Sequence, residues 1–147
     1  MQWEKLSETI QIAINDAHRF DTDAFLLEHF AAVRGIDMVC DLCAGCGIIG
    51  LLMLRRERPP QSVTAVEIAP DAEEVMRQTA EISSLTHFAP LRGDLREIRT
   101  LLPAHSFRLV TCNPPYFPAG SGYLCPEDSR RRARHEQEES CTTGEVC

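Results

Sequence analysis

Long apolar runs are missing from these 147 residues, and none approaches the length of a membrane span. The opening Met-Gln-Trp-Glu-Lys lacks the apolar core of a secretory signal, so a cytoplasmic protein is expected. Positive charge is also scarce. With a net charge of −7, the chain has no global attraction for nucleic acid, and a polyanion would have to meet a local basic patch. Internal repeats and low-complexity segments are lacking, which excludes a solenoid or a linker-like chain. What remains is 44% hydrophobic and 25% charged, the composition of one ordinary globular domain with enough length to bury a core.

Cysteine is not scarce. There are seven, and Cys40, Cys43 and Cys46 have the CxxCxxC spacing of some cluster sites. Cys40 falls in an apolar run and the other two in a glycine loop, so their side chains should not converge. Small buried thiols in a reducing compartment are expected, with no metal.

The organising stretch is 38–50. Met38 to Leu42 reads as a buried strand, and Gly45 and Gly47 as a tight loop. Ile48-Ile49-Gly50 with Leu51 to Leu54 reads as a helix start. Gly45 and Gly47 let the backbone turn and let a ligand approach without a Cβ in the way. Gly45, Gly47 and Gly50 also fit the GxGxxG of a dinucleotide fold, so the loop alone does not choose its nucleotide.

Upstream, Thr9 to Ile14 alternates as a short strand on which His18-Arg19-Phe20 is expected to pair back. Asp21, Thr22 and Asp23 would cap a helix running to about Arg34. Phe25, Leu26, Leu27, Phe30 and Ala31 form its apolar face, and Gly35 ends it. Downstream, Ser62–Glu67 is a second strand. Pro70 opens a helix with Ala72, Val75, Met76, Thr79 and Ile82 at helical spacing. Ala89–Arg92 is a third strand, Arg96–Leu102 a modest helix, and Phe107–Cys112 a fourth strand. Strands alternating with helices imply right-handed crossovers and an α/β, doubly wound, Rossmann-like, mostly parallel sheet. The expected division is an extension with a possible hairpin (1–21), a cofactor and catalytic-loop core (22–126), and a polar tail (127–147). From Glu127 to Glu139 almost nothing is apolar.

Three carboxylates and one loop carry the chemistry. Glu67, at a strand end twenty residues after Gly47, can accept from ribose hydroxyls. Asp41, four residues before Gly45, would repel a pyrophosphate at the lip of the loop and attract an ammonium and a sulfonium. Asp94, after Gly93, can accept from an adenine amine, although Gly-Asp alone is most often a turn. In Asn113-Pro114-Pro115-Tyr116 the prolines hold the Pro114 carbonyl rigidly. Asn113 adds an amide oxygen and Tyr116 an aromatic face, a set suited to a planar amino group.

Asp41-Leu42-Cys43-Ala44-Gly45-Cys46-Gly47 with Asn113-Pro114-Pro115-Tyr116 resembles class I S-adenosylmethionine-dependent amino-methyltransferases. Phe20-Asp21-Thr22-Asp23-Ala24-Phe25 upstream, and Ala119-Gly120-Ser121-Gly122 and Ala133-Arg134-His135-Glu136 downstream, resemble the tRNA1(Val) adenine-N6 methyltransferase family. The resemblance covers about residues 18 to 136. It implies that Thr22, Asp23, Asp41, Ala44, Gly45 and Gly47 surround the methionine end of the cofactor. Glu67 would hold its ribose, and Asp94 with Leu95 its adenine. Asn113, Pro114, Pro115 and Tyr116 would form the catalytic loop, with Tyr116 stacked on a flipped adenine of a tRNA loop such as the anticodon loop. Arg131, Arg134 and His135 belong to a basic cluster that could meet RNA phosphates, although acidic neighbours make an ion-paired, solvated helix an equal reading. Arg55, Arg56 and Arg58 are expected to cap the end of their own helix.

A complete domain of this family continues into three further strands. The chain is therefore expected to be a truncated form with an unpaired fourth strand, poorly stable and with little or no activity. Other readings are glutamine N5 methylation of release factors, a non-catalytic remnant, and an NAD-dependent oxidoreductase. The last would leave Asp41 and the Asn-Pro-Pro-Tyr loop unexplained.

Overall fold

The computed structural model describes residues 1–115. Tyr116, Arg131, Arg134, His135 and the polar tail fall outside the described residues. The chain opens with a hairpin, β1 (Gln2–Lys5) antiparallel to β2 (Gln11–Ile14), followed by α1 (Thr22–Phe30). The core then runs β3 (Met38–Leu42), α2 (Ile48–Leu54), β4 (Ser62–Glu67), α3 (Pro70–Ile82), β5 (Phe88–Arg92), a 3-10 turn at Leu95–Glu97, α4 (Ile98–Leu101) and β6 (Leu109–Cys112).

Four strands form one parallel sheet in the order β5-β4-β3-β6. The chain steps outward from β3 to β5 and then returns to the other side of β3. This is the doubly wound, Rossmann-like arrangement, and its switch point lies at the carboxyl ends of β3 and β6, where such folds take ligands. Registers such as Val39↔Val63 and Asp41↔Thr111 align the strand ends that carry the loops.

Every residue from Ile48 to Met53 is buried, because α2 is covered by the sheet and by α1. An all-apolar helix requires this, and each large side chain so buried contributes about 1.5–3 kcal/mol. Gly50 permits the close fit: a Cβ there would stand 2.6 Å from Val63 Cγ1. Gly47 has φ +80 and no room either, since a Cβ would lie 2.7 Å from Phe88 Cζ.

The hairpin forms, but with a different partner. β2 pairs with Gln2–Lys5 and not with residues 18–20. All four β1 residues are exposed, so it has no apolar alternation to reveal it. The other edge of β2 docks on α3, where Thr79 Oγ1 accepts from the Ala13 N–H (2.9 Å) and Ser83 Oγ accepts from that of Gln11 (3.0 Å).

Helix α1 ends at Phe30, short of Arg34, and its buried residues are Ala24 and Glu28. Phe25, Leu26 and Phe30, expected on a core face, are exposed, Phe30 to 88%. The inward face is set by an ion pair. Arg56 Nε donates to Glu28 Oε1 (2.5 Å), and the guanidinium also donates to the carbonyls of Glu28 (2.6 Å) and Ala31 (3.4 Å). Arg56 thus caps the end of α1, not that of its own helix. No Asp21 side-chain cap bond forms at the start of α1; the Asp21 carbonyl accepts from the Ala24 N–H instead (3.2 Å).

Candidate active site

A cavity of about 440 Å³ opens at the switch point. Its wall combines the glycine loop (Cys43, Ala44, Gly45, Cys46), the start of α2 (Ile48, Ile49) and Asn113. The hairpin supplies Glu4 and Ile14. The segment leading into α1 supplies Asp16, Ala17, Arg19, Phe20, Asp21, Asp23 and Ala24. Of the described candidates, Asp23, Ala44, Gly45 and Asn113 line this cavity. Thr22, Asp41, Gly47, Glu67, Asp94, Leu95, Pro114 and Pro115 stand outside its wall.

Gly45 has φ +56, and a Cβ built on it would meet nothing within 4 Å. The three glycines of the loop therefore divide the work. Gly45 keeps space open, whereas Gly47 and Gly50 answer to packing.

Glu67 holds the loop in place. Its Oε2 accepts from the Gly45 N–H (2.9 Å), and its Oε1 from those of Ile68 (2.9 Å) and Ala69 (3.2 Å). An ionised carboxylate offers about four acceptor positions, so one remains for a ligand hydroxyl. Asp94 Oδ1 accepts from the Arg96 N–H (2.9 Å) and both its oxygens from the Arg96 guanidinium, which holds its carboxyl below the usual carboxylate range. A base amine would share Asp94 with that arginine.

Asp41 is not at the lip of the loop. It is wholly buried beneath it, where Thr111 Oγ1 donates to its Oδ1 (2.7 Å) and Oδ2 has no hydrogen-bond partner. Burial pushes its carboxyl up to about 7, against the opposing pull of the Thr111 hydroxyl and the nearby Gly50 amide. The carboxylates that stand on the cavity wall are instead Glu4, Asp16, Asp21 and Asp23. Among these, Asp16 is paired with Arg19 (2.9 Å). His18 Nε2 meets Asp71 Oδ2 at 3.0 Å and ties this segment to the start of α3. Asp23 was a candidate from sequence, whereas Glu4, Asp16 and Asp21 were missed as site residues, since only the fold brings them to the glycine loop. Cys43 was also missed. It is half-buried, at the cavity wall, with φ +54, a conformation that favours glycine.

Residues 16–123 match the family model described as the methyltransferase small domain. This chain belongs to that family. It is 36% identical over 115 residues to a Shewanella amazonensis protein named tRNA1(Val) (adenine(37)-N6)-methyltransferase, covering 78% of this chain and 47% of that one. An Erwinia tasmaniensis protein of the same name is 31% identical over 117 residues, covering 79% and 47%. The chain thus spans about half the length of the curated relatives it matches. Among solved structures, Thermus thermophilus TrmN has a TM-score of 0.54 at 28% identity, covering 63% of this chain and 27% of that one. M. jannaschii TYW2, solved in complex with AdoMet, has a TM-score of 0.53 at 17% identity (65% and 44% covered), a likeness of fold alone. For a methyltransferase small domain, the cavity at the β3 and β6 ends lies where its fold takes ligands.

Proposed function

We propose that this methyltransferase domain uses S-adenosylmethionine to methylate the N6 amine of an adenine in a single-stranded tRNA loop, such as the anticodon loop. The observation that carries the reading is the convergence of Ala44-Gly45 and Asn113 on one cavity. The names of the two curated relatives supply the substrate class.

The residues present fit the cofactor. Gly45 faces open space, and four carboxylates against one arginine line the wall. That charge suits a ligand bearing an ammonium and a sulfonium, and it opposes the pyrophosphate of a dinucleotide. When bound, the cofactor supplies an electrophilic methyl group. Thr22 and Asp23 would border its methionine end with Ala44 and Gly45. Asp41 and Gly47 would support the loop from below. The remaining acceptor on Glu67 would take a ribose hydroxyl, and Asp94 with Leu95 would hold the adenine.

Asn113 and the Pro114 carbonyl would accept the two N–H bonds of the target amine, fixing its lone pair, while Pro115 stiffens the loop. Those bonds strengthen as the nitrogen becomes cationic, so they favour the transition state over the ground state. Tyr116 would stack on the extruded base, and Arg131, Arg134 and His135 would meet phosphates of the RNA.

Calorimetry on the full chain tests the cofactor: S-adenosylmethionine should bind and NAD should not, and the reverse result overturns the assignment. Methyl transfer to tRNA transcripts tests the substrate. Asn113→Ala should bind the cofactor as tightly as wild type yet transfer at least about 100-fold more slowly. Equal transfer by Asn113→Ala would remove Asn113 from its role.

A further inference from the structure

Among the described residues, four cysteines outside any disulfide lie on β3, β6 and the glycine loop, and their surroundings divide them into two pairs. Cys40 and Cys46 are buried, which pushes both thiols up to about 12 and leaves them inert. Cys43 and Cys112 are both half-buried. Cys43 stands on the cavity wall, and Cys112 immediately precedes Asn113 on that wall.

These two thiols meet. The Cys43 thiol donates a hydrogen bond to the Cys112 sulfur, which holds Cys112 below the ordinary thiol range. The backbone permits a bond between them. Leu42 pairs with Cys112 in the parallel register, so Cys43 lies one residue beyond its neighbour's partner. The strand spacing between Leu42 and Cys112, with the one Cα–Cα step of about 3.8 Å from Leu42 to Cys43, brings the two Cα atoms to about 6 Å, inside the window for a disulfide. The left-handed backbone at Cys43 (φ +54) breaks the strand alternation that would otherwise turn its side chain to the opposite face.

We propose that Cys43 and Cys112 are a redox pair that forms a reversible disulfide across the mouth of the cavity by exchange with a low-molecular-weight disulfide such as glutathione disulfide. The Cys112 thiolate attacks one sulfur of glutathione disulfide, and one glutathione thiolate leaves. The Cys43 thiolate then attacks the mixed disulfide, and the second glutathione leaves. Two protein thiols are oxidised, their two protons pass to the two departing glutathione thiolates, and one glutathione disulfide is reduced to two glutathiones. The bond would tie the residue before Ala44-Gly45 to the residue before Asn113. Its effect on cofactor binding rests on the function proposed above.

Tryptic mapping of the full chain after treatment with glutathione disulfide tests the pair. Peptides 35–55 and 109–130 should be linked, with fragment ions placing the bond between Cys43 and Cys112. Cys112→Ser should abolish the link and Cys125→Ser should retain it. Mixed disulfides alone, a link through Cys40 or Cys46, or a link that survives in Cys112→Ser would overturn the proposal. Calorimetry with S-adenosylmethionine should show at least about tenfold weaker binding by the oxidised chain, restored by dithiothreitol. Equal affinity in both states would refute the effect on the cavity. Failure of the reduced chain to bind S-adenosylmethionine would refute the cofactor assignment while leaving the mapped bond standing.

Discussion

Replacing Asp41 by Asn should change how stability depends on pH more than it changes stability at any one pH. The carboxyl sits at about 7 in the folded chain, against an ordinary value of 3.8, because burial disfavours its charged form. Thr111 and the Gly50 amide partly relieve that penalty, while Glu67 at the end of β4 adds to it. The neighbouring thiols, Cys40, Cys46 and Cys112, feel the Asp41 charge as a force that raises their own titration. A folded-state value above the unfolded one means that the folded chain holds the extra proton between the two. Stability therefore falls as pH rises through that window. The loss is on the order of 4 kcal/mol, and more than half of it falls between pH 5 and pH 8. Asn carries no proton to lose, and titrations remote from Asp41 cancel when the two proteins are compared. Urea unfolding of both at pH 5, 6, 7 and 8 should show the variant gaining about 2–3 kcal/mol on wild type across the series. Parallel stability curves would refute a buried, proton-binding Asp41.

Gly47→Ala should lower stability by about 2–4 kcal/mol, since it combines a left-handed backbone with a Cβ 2.7 Å from Phe88, and thermal denaturation reads this directly. Gly45→Ala should cost only about 1–2 kcal/mol, the backbone term alone, yet weaken S-adenosylmethionine binding in calorimetry. Thr79→Val should leave the buried Ala13 N–H without its acceptor, costing about 1–3 kcal/mol and speeding amide exchange at Ala13. Arg56→Ala should cost about 2–3 kcal/mol, because it strands the buried Glu28 carboxylate and uncaps α1 together; denaturant titration measures it.

The parallel core was legible because its signals are local. The β-branched run at Ser62–Glu67, the proline at the start of α3 and the glycines after β3 each specify backbone shape with residues a few positions apart. The inward face of α1 was read only in part: Leu27 and Ala31 do pack on the core, but Arg56, which also fixes that face, lies 28 positions from Glu28. Phe25, Leu26 and Phe30 look like a core stripe until that ion pair turns them outward. Asp41 was read at the lip of the loop because its sequence neighbours are the loop, while its register partner Thr111, on β6, draws it inward. Asn113, Gly45 and Asp23 reach one cavity from three separate elements, and each precedes or opens a change of backbone direction that the sequence displays. The acidic wall from Glu4 to Asp21 carries no such mark. It depends on where an exposed polar strand lands.

The way β2 meets α3 bears on how the chain behaves in a crowded solution. A strand edge with open amides is a template for a stranger's backbone. On β2 one edge is taken by β1, and on the other Gln11 and Ala13 give their N–H groups to two hydroxyls of a helix, while Ser83 returns a bond to the Gln11 carbonyl (3.1 Å). A helix cannot extend a ladder. Two small side chains, one on α3 and one at its C-terminal cap, therefore close a surface on which neighbouring molecules could otherwise begin to stack.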